Sequence, residues 1–127
     1  MMSVPTAYRV KIELEGLGEA EGELVRIYAP RTVEALVRAM PLRARAYPAD
    51  GYVYFQVPLS MGVEKPRREV EEGALAYWPQ ARAVCIYLKK LKVRQEVSLL
   101  GKVTMNLDVF KGVKVGTPIL VEMVEKL

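Results

Sequence analysis

From Ala7 to Glu15 the order AYRVKIELE alternates without a break, setting Tyr8, Val10, Ile12 and Leu14 on one face and Arg9, Lys11, Glu13 and Glu15 on the other. A repeat of two belongs to a half-buried strand, because successive side chains of a strand point to opposite sides whereas a helix repeats every ~3.6 residues. The acid-flanked glycines of GLGEAEG (Gly16 to Gly22) supply a turn, and ELVRIYA returns as a second strand carrying Leu24, Val25, Ile27 and Tyr28. A β-hairpin therefore opens the chain.

One segment carries a helical period. In TVEALVRAM the apolar residues Val33, Leu36, Val37 and Met40 fall on one stripe, Thr32 is available as N-cap, Glu34 and Arg38 suit the two ends of the dipole, and Pro41 follows as a stop. The stripe must be buried against one face or end of a sheet. The remainder reads as strands over about 42–47, 52–58, 74–78, 83–89, 96–105 and 118–125, with PADG (Pro48 to Gly51) as a turn between the first two. A short helical turn is expected at Leu107 to Lys111, capped by Asn106 or Asp108 and ended by Gly112. About eight short strands with one helix and no repeats predict a mostly β protein, a closed or nearly closed barrel that leaves no strand edge exposed. The longest stretch without a period, Ser60 to Gly73, is expected to be an irregular loop of the kind that binds ligands.

Composition sets limits on function. The 127 residues, 51% of them apolar, suffice for one domain with its own core. There is no histidine, and Cys85 is the single cysteine, so Ser-His-Asp and Cys-His catalysis, histidine metal sites and an internal disulfide are all ruled out. No metal and no cofactor are expected. Cys85 lies between Val84 and Ile86 with no basic neighbour, which suits a buried structural thiol. The net charge of +4 is spread along the chain, a mild excess that does not require nucleic acid as a partner. No basic start leads into a long apolar run and no stretch is long enough to span a bilayer, so a cytoplasmic protein is expected, with no membrane partner. Scarce amides, Asn106 beside Gln56, Gln80 and Gln95, hint at a thermophilic source.

The run PRREVEEGALAYWPQARAVCIYL (Pro66 to Leu88) resembles the signature of a family of small prokaryotic cyclophilin-like proteins, in which it follows a strand of the type IYF with a proline after it. The matching residues are Tyr54, Phe55 and Pro58, then Pro66, Arg67 or Arg68, Glu69, Val70, Gly73, Tyr77, Trp78, Pro79 and Ala83. The sequence departs from the pattern at Ala74, at Gln80-Ala81 and in the basic run from Lys89, where the family has an acid, a Pro-Gly pair and a glycine. The resemblance implies a cyclophilin-like closed barrel. In true cyclophilins that fold carries prolyl isomerisation, which needs an apolar pocket and a polarising arginine against a barrier of about 20 kcal/mol, and no acid, base or nucleophile. The true cyclophilin signature, an arginine after a Phe-His pair and a Gln-Gly-Gly-Asp run, is absent.

The candidate ligand groove comprises Tyr54, Gln56, Glu64, Arg67, Arg68, Tyr77, Trp78 and Arg82. Tyr77 and Trp78 offer an aromatic wall, or else pack inside the barrel. Tyr54 and Gln56 share one face of their strand, and face outward if Phe55 and Val57 face the core. Arg67, Arg68 and Arg82 can each hold a carboxylate or polarise a carbonyl, or simply be solvated loop residues, and Glu64 completes the charged loop. Lys89, Lys90, Lys92 and Arg94 form the most basic run, fit either for phosphates or for protecting a sheet edge. No residue is assigned a catalytic role. The favoured reading is a peptide or small-ligand binding module; prolyl isomerisation and weak nucleic-acid binding are the alternatives, and oligomeric state is left open.

Overall fold

A computed structural model describes residues 4–127 of the chain. The elements run β1 (Ala7–Leu14), β2 (Gly18–Val25), α1 (Pro30–Ala39), β3 (Leu42–Ala49), β4 (Tyr52–Gln56), β5 (Arg67–Val70), β6 (Ala74–Trp78), β7 (Ala83–Tyr87), β8 (Leu91–Met105) and β9 (Thr117–Lys126), with 3-10 turns at Arg26–Tyr28, Pro79–Ala81 and Leu107–Gly112. The strand order is β2-β1-β9-β3-β4-β7-β6-β8-β5, and β2 also pairs with β8. That last pairing closes eight antiparallel strands into a barrel and leaves β5 outside it, on the free end of β8.

Alternate residues fill the interior. Tyr8, Val10, Ile12 and Leu14 of β1 are buried while Arg9, Lys11 and Glu13 face out, as the period of two requires. Helix α1 lays Val33, Leu36 and Val37 into the same core, and the Tyr8 hydroxyl donates to Glu34 Oε1 at 2.6 Å to fix it against β1. What remains inside is about 20 Å³ lined only by apolar side chains, a space with no polar partner for even one water. The barrel is thus a packed core, and any ligand must be held on its outside.

A second, smaller core lies there. Strand β8 pairs with β2 and β6 along its C-terminal half and with β5 along Leu91 to Val97. This N-terminal half and β5 form a two-stranded flap that covers the outer face of β6 and β7, enclosing Val70, Ala74, Ala76, Cys85, Tyr87 and Val97.

Four expectations from sequence need correction. β2 starts at Gly18 and ends at Val25, so Ile27 and Tyr28 fall in the 3-10 turn and Ile27 is 67% exposed. Its inward residues are Ala20, Gly22 and Leu24, and two such small residues give almost no apolar period. α1 starts at Pro30 with Ala29 at the N-cap, so Thr32 lies inside the first turn instead of capping it. Arg67–Val70 is a strand in place of irregular loop, and β8 begins at Leu91, five residues before the expected start at Glu96.

Candidate functional site

The flap does not seal the face it covers. Between it and the barrel is a cleft of about 400 Å³ lined by Asp50, Tyr52, Trp78, Cys85, Tyr87, Val97 and the β8 residues Leu91 to Gln95. The pairing registers explain its lining: Tyr52 is opposite Tyr87, Tyr54 opposite Cys85, Ala76 opposite Cys85 and Trp78 opposite Ala83, so all these side chains share the outer face. Ala74 and Ala76 lie on this face beneath the flap, and the aromatic residues stand beside them. Tyr47, Tyr54, Tyr52 and Tyr87 form a continuous row, with ring centroids 5.6, 6.1 and 5.6 Å apart in turn. The Trp78 indole N–H donates to Gln95 Oε1 and joins floor to flap.

The polar groups of the cleft are held neutral. Burial pushes the Cys85 thiol up to about 12, against the lowering effect of the Tyr87 hydroxyl, and burial likewise raises Tyr87 and Tyr52, with smaller contributions from the neighbouring Cys85. At neutral pH all three stay protonated, so they are hydrogen-bond donors and neither bases nor nucleophiles. Charge enters only at the rim, where Asp50 is exposed at one side and Lys92 and Arg94 are exposed on the flap. This chemistry can hold a flat apolar group by stacking and complement it with a cation or a hydroxyl donor.

The residues expected to form one groove are distributed over several places. Trp78 lines the cleft; Tyr54 adjoins it through the tyrosine row; Gln56 is exposed, its amide 3.4 Å from Ala81 O. Tyr77 is fully buried and points into the barrel, where its hydroxyl donates to Leu59 O at 3.0 Å and accepts from Met61 N at 3.2 Å. It is no groove wall, because inward and outward positions alternate and Trp78 occupies the outward one. Arg67 is exposed on β5, and Arg82 is exposed with a left-handed backbone (φ 49°) at the end of a 3-10 turn; neither lines the cleft. Arg68 lines an adjoining depression. Of the basic run, Lys89 and Lys90 sit in the β7–β8 turn, 3.6 Å from Asp50 and 3.8 Å from Glu71, whereas Lys92 and Arg94 line the cleft. Tyr52 and Gln95 escaped the sequence reading as site residues, although the alternation that put Tyr54 outward applies equally to Tyr52.

Glu64 has a different task. Its carboxylate accepts from Thr32 N and Thr32 Oγ1, both at 2.7 Å, and from Arg31 N at 3.2 Å, while its own N–H donates to Ser98 Oγ at 2.8 Å. It caps α1 from a distant loop, satisfying amides that no residue of the helix itself serves. Partial burial acts to raise its pKa, but the hydrogen bonds from Thr32 and Arg31 together with the Arg31 charge outweigh it, so the carboxyl titrates below its ordinary value. A depressed carboxyl stabilises the fold above its unfolded pKa of ~4.3, and the contribution disappears as pH falls through the lower folded value. Glu64→Ala is expected to cost about 1–2 kcal/mol at pH 7. In thermal unfolding followed from pH 7 downward, the gap between variant and parent should close in acid; a gap that stays constant would remove Glu64 from this role.

Fold and cleft together define a small closed barrel with an accessible cleft between its outer face and a strand flap. The model for the cyclophilin-like family matches residues 8–122, and the chain belongs to that family. It is similar to the hypothetical protein AF2241 from Archaeoglobus fulgidus, known from a solution structure, at 27% identity and a TM-score of 0.80 over 98% of this chain and 100% of the other. It also resembles McbB, solved in complex with tryptophan, at 14% identity and a TM-score of 0.75, over 89% of this chain and 44% of McbB; at that identity the likeness is one of fold. No curated protein matches the chain. Among the described residues no helix is long and apolar enough to cross a membrane, and no three Cys, Asp or Glu side chains converge as metal ligands.

Proposed function

We propose that this cyclophilin-like barrel is a binding module whose site is the outer-face cleft, and that it takes a flat apolar group of a small ligand or peptide without chemical turnover. The observation that carries the reading is the combination of aromatic walls with interior polar groups all held protonated. Such a surface gains from stacking and desolvation, and its interior groups offer no base to accept a proton.

Trp78 is the sole tryptophan, so one indole N–H resonance reports the cleft directly. On titration with naphthalene-2-carboxamide, a neutral flat probe, that resonance should shift and saturate below millimolar concentration, and Tyr52→Ala should weaken binding about five- to tenfold. A resonance that does not move at millimolar probe overturns the proposal. At micromolar concentration the protein should leave the isomerisation of an Ala-Pro peptide at its uncatalysed rate; clear acceleration would move the function to prolyl isomerisation. Single-stranded DNA binding that falls steeply with salt would instead favour the basic run as the site.

A further inference from the structure

The cleft does not end at Trp78. Arg94 and Gln95 also form the wall of a second depression, about 350 Å³, whose other sides include Arg68, Pro79, Gln80 and Glu96. The two cavities are neighbours along β8, one aromatic and one cationic. Arg68 Nη1 lies 3.5 Å from Arg94 O, which brings a β5 guanidinium up to the Arg94 main chain.

The charges there are free. Among the described residues, Arg68, Lys92 and Arg94 have no carboxylate within ion-pair distance, whereas Lys89 and Lys90 immediately before them both have one. Two carboxylates line the paired cavities. Asp50 is already approached by Lys89 at 3.6 Å, and Glu96 lies more than 4 Å from both arginines, although they share its depression. Cations grouped without partners beside a neutral aromatic cavity raise the local potential, and desolvation of a ligand's ring at the cavity floor lets a charge at its edge count for more.

From this juxtaposition we infer that the ligand is an aromatic carboxylate, its ring between Tyr52, Tyr87 and Trp78 and its acid group forked by Arg94 with Arg68 behind it. The inference rests on the binding role proposed for the cleft and adds what that role leaves open, the charge of the ligand and the residues that select it. Guanidinium suits the task because its planar fork matches the two carboxylate oxygens. Commitment to a free small molecule follows from the roof: the cleft is covered by β8 along Leu91 to Val97, and its volume lies in the range of small-molecule sites.

The test compares two probes of one shape, naphthalene-2-carboxylate and naphthalene-2-carboxamide, by calorimetry at low salt with the Trp78 resonance as a second readout. The carboxylate should bind at least about tenfold more tightly. Arg94→Gln should remove most of that preference while leaving carboxamide affinity unchanged, Arg68→Gln should remove part, and Arg82→Gln, which changes net charge equally away from the cleft, should leave it intact. Equal affinity for the two probes overturns the inference and spares the binding role, as does a preference that survives the Arg94→Gln/Arg68→Gln pair or that Arg82→Gln abolishes equally. Binding of neither probe overturns both.

Discussion

Gly101→Ala is expected to prevent the barrel from closing. A Cβ at this position would lie 1.8 Å from Glu23 O, 2.8 Å from Glu23 C and 3.1 Å from Leu24 Cα, all main-chain atoms that cannot turn aside. Gly101 is where β8 faces β2 and β6 at once, opposite Leu24 on one side and Leu75 on the other. The glycine is required by close approach, since its backbone is not in the left-handed region. Opening the β2–β8 seam would expose a core edge and leave ladder hydrogen bonds unmade, so the expected loss exceeds about 4 kcal/mol, a mechanism in the severe tail of point substitutions. The variant should be recovered largely as insoluble chain, or unfold at least about 12 °C below the parent. Gly62→Ala, where an added Cβ meets nothing within 4 Å, should unfold at the parental temperature. A Gly101→Ala protein that melts with the parent would show that the seam is looser than these distances require.

The second large effect is at Tyr77. Truncation to alanine removes a fully buried ring and should cost about 3–5 kcal/mol. Tyr77→Phe separates the hydroxyl from the ring: Leu59 O loses its donor and Met61 N its acceptor, which for buried groups costs about 1–3 kcal/mol. Because the segment held by this hydroxyl carries Glu64 to its place at α1, the two contributions should not add. A double-mutant cycle of Tyr77→Phe with Glu64→Ala should show coupling of at least about 0.5 kcal/mol, and strict additivity would show that loop and cap are held independently.

The fold was legible where a strand puts large apolar residues inside and charges outside. β1 alternates in sequence and in burial alike, and the amphipathic stripe of α1 meets the barrel core as its period demands. β2 was half hidden because the seam needs Gly22 inward, where a Cβ would meet Leu75 and Lys102 at 3.1 and 3.2 Å. β5 was hidden because it is an edge strand with Val70 its one buried residue, so RREV carries no period. Thr32 looked like a cap from its neighbours in sequence; the acceptor that serves the helix comes from Glu64, 32 residues away. The cleft was legible only in part. Alternation placed Tyr54 and Gln56 outward, but nothing local says that Leu91 to Val97 folds back over Cys85 and Tyr87, since that depends on β8 leaving β6 to pair with β5. Aromatic and basic residues assigned to separate readings, Trp78 on one side and Lys92 and Arg94 on the other, therefore meet in one cavity.

The two cores are separated by a single sheet, and on β7 neighbouring residues serve opposite masters: Val84 and Ile86 belong to the barrel, Cys85 and Tyr87 to the space outside. Selection can therefore rewrite every second position of β4, β6 and β7 without disturbing the packing that folds the chain. Relatives built on this barrel are free to diverge in what their outer faces accommodate while keeping the same architecture, so that shared shape and differing ligands are the expected outcome of descent within such a scaffold.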